Sequence, residues 1–423
     1  MKIALVHDYL REYGGAERVV EALHEMWPEA PLYTSFVDWP SFAAPSLKRL
    51  WRVGDKAPAG KVALFRSWDI RTSWVQHFWL VKKFISPLRF LAPLIWGSFD
   101  FTGYDVVISS SGWFMCRGVA LDRSKTRSRE SHETSHASQA SPARRDDQAL
   151  HICYIHHPPR NLYGYPTGSD LQKYWPVRFY ATIVNFFLRH YDFETAQKVD
   201  YFVANSEETK RRVEKFYRRS STVIYPPVDM PASARQRVSA STLKTMTPSY
   251  FLSVGRLTYA KRVDLAIMAC NKLKVPLKIV GTGKEEEYLR SIAGPTVEFV
   301  GSVSDEELSK LYAGAKALIF CALDEDFGMV PVEAMAHGTP VIALAQGGVL
   351  ETVLDGKTGV LFQKPEVEEL VKAIKKFNKN YNDYNGYKNY KDVAEKFSKE
   401  RFKKELNAFI EKAYRESSPS KNS

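Results

Sequence analysis

Cysteine is scarce in this chain, four in 423 residues, and none lies in a C-x-x-C pair. Three of the four, among Cys116, Cys153, Cys270 and Cys321, sit in apolar runs. They read as small buried hydrophobes in a reducing compartment, which excludes a disulfide scaffold and a cysteine-based zinc site. Long apolar runs are missing too: no stretch approaches the about 18 residues that a membrane span needs. The start, Met-Lys-Ile-Ala-Leu-Val-His-Asp, lacks the apolar core of a leader and reads as a first strand. Acidic residues are outnumbered, 48 against 60 Lys and Arg, for a net charge of +12 and a pI near 9.3. That balance calls for an anionic partner: nucleic acid, a membrane surface or a phosphorylated substrate. The chain is too long for one ordinary core, so two domains are expected.

The second half alternates short, continuously apolar runs with helical patterns. Strands are expected at Phe251–Leu257, Leu277–Gly281, Val297–Gly301, Ala317–Ala322, Pro340–Leu344 and Gly359–Phe362. Helices are expected at Val263–Leu273, Lys284–Ala293, Asp305–Gly314, Pro331–His337 and Gly348–Leu354, with Ser304 and Glu307 as a capping box. Apolar strands covered by helices on both faces make a doubly wound parallel α/β domain. The first half follows the same order less cleanly. Strands are expected at Ile3–His7, Asp105–Ser109, His151–His156 and Tyr201–Asn205, and the segment Thr222–Val228 closes this half. Helices are expected at Ala16–Met26, Val177–Val199 and Glu207–Phe216, the last capped by Ser206. The domains expected are residues 1–229 and 249–393, joined by a polar linker, with a C-terminal helix (about Ala394–Tyr414) in 394–423 packing back on the first domain. Residues 123–147, rich in Ser, Arg, His and Asp, read as a disordered surface loop.

Chemistry concentrates where strands of the second domain end. Ala317–Ala322 empties into Asp-Glu-Asp-Phe-Gly, and Pro331 fits the first position of a helix that carries Glu333. The amides of Gly328, Met329 and Val330 are then free to meet an anion. Glu325 and Glu333 flank them eight positions apart. The end of Phe251–Leu257 supplies Arg256 and Lys261, and the end of Leu277–Gly281 supplies Gly281 and Gly283, where backbone can approach a ligand closely. Two cations plus a helix N-terminus suit a diphosphate without a metal. Asp324 and Asp326 spell D-x-D but lie in the same turn, and read as loop acids.

These residues carry a resemblance. Glu325 and Glu333 match the E-x7-E motif of the GT-B-fold retaining glycosyltransferases of family 4. Gly-Arg-Leu with Lys261 resembles that family's diphosphate pair, and Gly347-Gly348 with Glu351-Thr352 resembles its downstream G-G-x-x-E-[TI] element. The resemblance implies two Rossmann-like domains facing across a cleft. It implies that Glu333 accepts from the ribose and Glu325 from the donor sugar. Arg256, Lys261 and the amides of Gly328–Val330 would hold the diphosphate, and the adjoining Phe327 would be among the donor-binding residues. The Gly14-Gly15 turn would approach the same phosphates, and Val303 would meet the base through its backbone. His156, in a stretch similar to the family's H-x-P-x-R segment, would contact the sugar near the reacting carbon. The implied reaction transfers a hexose from a nucleotide diphosphate sugar with retention, with no metal or other cofactor. Ile-Tyr-Pro-Pro-Val-Asp resembles mannosyltransferase-like members, so GDP-mannose is the expected donor.

Residues 64–101 mix Trp, Phe, Lys and Arg, as a membrane interface requires. Peripheral membrane contact there and a glycan or polyprenyl-linked acceptor are expected, for a cytoplasmic enzyme of cell-surface polysaccharide synthesis at the inner face of the membrane. No nucleic-acid recognition motif accompanies the mixture. Two further readings are a GT-B nucleotide-sugar epimerase, which would lack the Arg256–Lys261 and E-x7-E set, and a catalytically silent nucleotide-sugar-binding scaffold.

Overall fold

The computed structural model describes residues 1–43, 59–121, 148–167, 174–228, 249–380 and 387–417. The expected linker and the 123–147 loop lie outside these residues. Among them, thirteen strands form two wholly parallel sheets. The first holds β1 (Ile3–His7), β2 (Leu32–Thr34), β3 (Ile70–Thr72), β4 (Val106–Ser111), β5 (Leu150–Ile155), β6 (Tyr201–Ala204) and β7 (Thr222–Val223), in spatial order 3-2-1-4-5-6-7. The second holds β8 (Tyr250–Val254), β9 (Leu277–Val280), β10 (Val297–Gly301), β11 (Ala315–Phe320), β12 (Val341–Leu344) and β13 (Gly359–Phe362), in order 10-9-8-11-12-13. Each order reverses once, between β1 and β4 and between β8 and β11. A doubly wound sheet opens its ligand crevice beyond the strand ends at such a reversal.

Buried strand residues such as Leu5, Ile108 and Ile152, or Phe251, Ile279 and Ile319, fill the layer between each sheet and its helices. In the first domain α1 (Gly15–Met26), α2 (Trp175–Gln197) and α3 (Glu207–Tyr217) position the cleft; Ser206 Oγ accepts from the Thr209 amide, so the expected cap is present. In the second, α4 (Val263–Leu273), α5 (Asp305–Gly314) and α6 (Met329–Ala336) do so, and Ser304 and Glu307 form the expected capping box. Two C-terminal helices follow, α7 (Tyr387–Lys396) and α8 (Lys399–Glu416).

Several local expectations are corrected. Helix α6 begins at Met329, with Gly328 as N-cap at φ +87°, so Pro331 occupies the third helical position rather than the first. Strands β2 and β3, three residues each, went unread because they are too short to show a period. A helix at Val367–Lys379 was not expected. The C-terminal helix starts at Lys399, where Ser398 Oγ accepts from the Arg401 amide, and the 393/394 boundary falls inside α7. Helix α8 packs Phe402, Leu406 and Ile410 into the core of the first domain. The Val228 amide donates to Phe397 O (3.0 Å), so the chain crosses beside its own earlier passage.

Candidate active site

At the C-terminal ends of β1, β4 and β5 lies a buried polar floor. Asp8 Oδ2 accepts from the amides of Gly112 (3.0 Å) and Phe114 (3.1 Å), and its Oδ1 from Cys116 (2.9 Å). One carboxylate thus folds the whole loop after β4. His7 donates from Nδ1 to Ser110 O (3.2 Å) and from Nε2 to Glu17 Oε1 (3.3 Å). Both partners are acceptors, so both ring nitrogens carry hydrogen. Burial opposes that charge, but Glu17, Asp8 and the Ser110 carbonyl outweigh it and raise the His7 pKa above 6.5. His156 is the reverse case. Its Nε2 meets Ser110 Oγ (2.7 Å), and burial, with the nearby His7 and His157, pushes its pKa well below 6.5. The imidazole at the expected sugar-contacting position is therefore neutral, able to share a hydrogen bond without adding charge.

Facing this floor is the turn between β11 and α6. Asp324 at φ +46° and Gly328 at φ +87° bend the chain sharply, a conformation Asp and Gly tolerate. Lys261 Nζ donates to Glu325 Oε2 (2.7 Å). Burial raises the Glu325 pKa, but Lys261, Arg160 and Arg256 overcome it and hold the carboxyl below 4.5. Glu333, one helix face further on, accepts from the Tyr312 hydroxyl (3.1 Å) and from Arg18 of α1. Arg256 reaches Glu12 of the first domain (3.2 Å). The two helices α1 and α6 meet N-terminus to N-terminus. A Cβ on Gly15 would stand 2.8 Å from Met329 Sδ, so the thioether fills the space between them. Each terminus leaves its first amides without an intrahelical acceptor, and two such ends aimed at one gap favour an anion twice over.

Three of the expected contacts are different from expectation. Gly281 and Gly283 do have backbone close by, but it is the protein's own: a Cβ there would lie 2.0 Å from Gly255 O and 2.1 Å from Leu257 O. These glycines let the loop that carries Arg256 lie flat on the loop after β9. Phe327 points inward, its ring 5.8 Å from Tyr225 and 5.3 Å from Phe397, so its side chain anchors the turn instead of facing the cleft. Asp326 is more than a loop acid. It is buried between Arg160 (2.7 Å) and Arg212 of α3, whose guanidinium also holds Glu208 (2.9 Å). Val303 is half-buried against the second core.

Arg18, Glu12, Arg160 and Asp326 are the residues sequence reasoning passed over. Arg160 was in view, as the last residue of the H-x-P-x-R segment, and its position four residues after His156 was the available signal. Glu351, in the G-G-x-x-E-T element, accepts from the amides of Glu207 (2.8 Å) and Glu208 (2.9 Å) and so caps α3 across the cleft. Gly347 and Gly348 press on the backbone of Glu325 and Asp326, where a Cβ would clash at 2.0 and 2.5 Å.

With two six- and seven-stranded Rossmann-like sheets and a cleft between their strand ends, the architecture is that of the GT-B glycosyltransferases. Over nearly its full length the chain is similar in fold to HepE of Anabaena in complex with UDP and glucose (TM-score 0.60, 17% identity, 97% of this chain and 99% of that one). It is similar also to the lipopolysaccharide outer core galactosyltransferase WaaB (TM-score 0.61, 16% identity, 97% and 99%). Residues 234–397 match the family model described as Glycosyl transferases group 1. The chain is 28% identical over 212 residues to D-inositol 3-phosphate glycosyltransferase of Nocardioides sp., covering 43% of this chain and 46% of the relative. It is 35% identical over 137 residues to glycogen synthase of Mycobacterium tuberculosis, covering 30% and 33%. The matched stretch thus spans less than half the length of these curated relatives.

Proposed function

We propose that the protein is a retaining, metal-independent glycosyltransferase that moves a hexose from a nucleotide diphosphate sugar to a glycan or polyprenyl-linked acceptor. The observation that carries this reading is the gap between the N-termini of α1 and α6, ringed by Arg256, Lys261, Glu325 and Glu333. Diphosphate oxygens fit that gap, once Met329 swings aside, against the amides of Gly15 and Gly328–Val330, while the Gly14 amide stays on Glu17 Oε2 (2.8 Å). Arg256 and Lys261 neutralise them from the side. Glu333 takes the ribose hydroxyls after releasing Arg18, and Glu325 takes the sugar hydroxyls. The base lies by the backbone of Val303. Neutral His156 then faces the sugar without repelling positive charge that develops at the anomeric carbon.

In the transfer step the bond from anomeric carbon to diphosphate breaks, and the acceptor hydroxyl oxygen bonds to that carbon on the same face. The departing phosphate oxygen takes the acceptor's proton, so no carboxylate base is required. Amides and cations fixed before the reaction stabilise the charge that builds on the leaving group. Asp326 is committed to two arginines, which supports a site that works without a metal.

GDP-mannose is the proposed donor, supported by the Ile224–Asp229 segment. HepE was solved with UDP and glucose, so UDP-glucose is the informative competitor. Ligand binding to the folded state alone raises the melting temperature. A thermal-shift panel should therefore show the largest rise with GDP-mannose, and a larger rise with UDP-glucose would reassign the donor. No rise with any nucleotide sugar would overturn the enzyme reading. The working place proposed is the cytoplasmic face of a membrane, touched through residues 64–101. Among the described residues no helix is long and apolar enough to cross one.

A further inference from the structure

Helix α2 is buried along one stripe and exposes an apolar stripe on the other side. Ala181, Asn185, Leu188, Asp192 and Thr195 face the first domain and are buried. On the opposite stripe Trp175, Phe179, Ile183, Phe186 and Phe187 face outward, Trp175 with 72% and Phe187 with 66% of its surface exposed. A contiguous exposed apolar stripe of this kind marks a surface that another body covers. Beside it, in the segment before β4, Phe78, Trp79, Leu80, Phe84, Phe90 and Leu94 are exposed as well. The two stretches form one surface. The Tyr180 hydroxyl donates to Pro87 O, and Arg89 Nη2 donates to Asn185 Oδ1 (2.8 Å).

Charge says what covers it. Between Ile70 and Phe99, and between Leu171 and Tyr191, there is no Asp or Glu, whereas Arg71, Lys82, Lys83, Arg89, Arg178 and Arg189 lie in those stretches. Lys83 Nζ sits 5.4 Å from the Trp79 ring centroid, so cation and aromatic share one place on the surface. A second copy of this chain would set cations against cations. An acid-free surface of aromatics and basic side chains fits anionic lipid headgroups with acyl chains beneath them.

We propose that α2 lies flat in the interface of an anionic bilayer, its Trp175–Phe187 stripe inserted, and that with residues 78–94 it orients the cleft toward the lipid. This rests on the membrane contact proposed for residues 64–101 and extends it to a helix outside that range. The helix is tied to the cleft. Asn185 donates to Asn161 O (2.9 Å), next to the Arg160 that holds Asp326. Asp192 also pairs with Arg117, in the loop folded by Asp8. A lipid-linked acceptor would meet the cleft at that rim.

Flotation of the full chain with vesicles tests this. Wild-type protein should float with phosphatidylcholine–phosphatidylglycerol vesicles and far less with phosphatidylcholine alone. The Phe186→Ser/Phe187→Ser variant should lose on the order of tenfold or more in partitioning, since two inserted aromatics are removed. Its melting temperature should not change, because both rings are exposed. If that variant floats like wild type while Lys82→Glu/Lys83→Glu does not, the helix is not inserted and the contact of residues 64–101 stands. If wild type floats with neither vesicle, both membrane readings fall. Dimers that the Phe variant abolishes, without flotation, would make this face a protein interface and overturn the inference. Thermal shift with nucleotide sugars on the same samples reads the donor site separately.

Discussion

Asp326 should be the most consequential acid outside the E-x7-E pair. Its side chain is 12% exposed, the Arg212 side chain beside it 3% and that of Arg160 17%. The three groups therefore interact with little solvent between them. Removing one member of such a buried set leaves uncompensated charge, at a cost of about 3–5 kcal/mol. Asp326→Asn keeps the shape and one acceptor. Arg212 keeps Glu208 at 2.9 Å, and Arg160 keeps Asp324 O at 2.6 Å. The lower end, about 3 kcal/mol, is the expected loss. Since about 1.4 kcal/mol is a factor of ten, the closed arrangement would lose roughly two orders of magnitude in population. Scanning calorimetry should show a lower or split transition, because the pairs join the domains. Transfer should fall too, since the neighbouring residue is Glu325. An unchanged melting profile in Asp326→Asn would refute the assignment of Asp326 as the joint between the domains, whatever happens to activity.

Lys261→Ala and Glu325→Ala should each abolish transfer while circular dichroism stays that of the wild type; full activity in either removes that residue from the mechanism. EDTA should leave the transfer rate unchanged, and a strict Mg²⁺ or Mn²⁺ requirement would refute the metal-free reaction. The histidines should give opposite pH slopes. His7, with a raised pKa, contributes stability that is complete below pH 6.5 and is lost as pH rises through its folded pKa. His156, with a depressed one, weakens the fold as pH falls below 6.5, because the unfolded imidazole takes the proton first. Melting temperatures across that range should show His7→Gln flattening the alkaline loss; a curve parallel to wild type would mean that His7 carries no charge in the fold.

Local signals made much of the fold legible. Helix α4 and strand β10 lie at the expected residues because capping, glycine and proline punctuate them within a few positions. The glutamate turn was legible for the same reason, its residues being contiguous. Its surroundings were not. Arg18 and Glu333 are 315 residues apart and meet only when two domains close. No periodicity within either helix announces that meeting. Phe327 was misread through proximity: it adjoins the glutamates, but a tight turn sends neighbouring side chains in opposite directions, and the core of the second domain took it. The aromatic stretch of residues 64–101 showed its composition, yet the exposed face of α2 depends on which side of that helix the sheet takes.

The thioether of Met329 between the two helix ends sets the terms on which any ligand enters. A cleft that is closed and filled by its own side chain admits a ligand only in the fraction of molecules that has opened. Apparent affinity then equals intrinsic affinity reduced by that fraction. The ion pairs that hold the domains together consequently act on binding at a distance. A substitution that loosens the joint without touching the cleft would raise the fraction open to a ligand while weakening the fold, so the unliganded protein's stability and its apparent affinity are set against each other by one equilibrium.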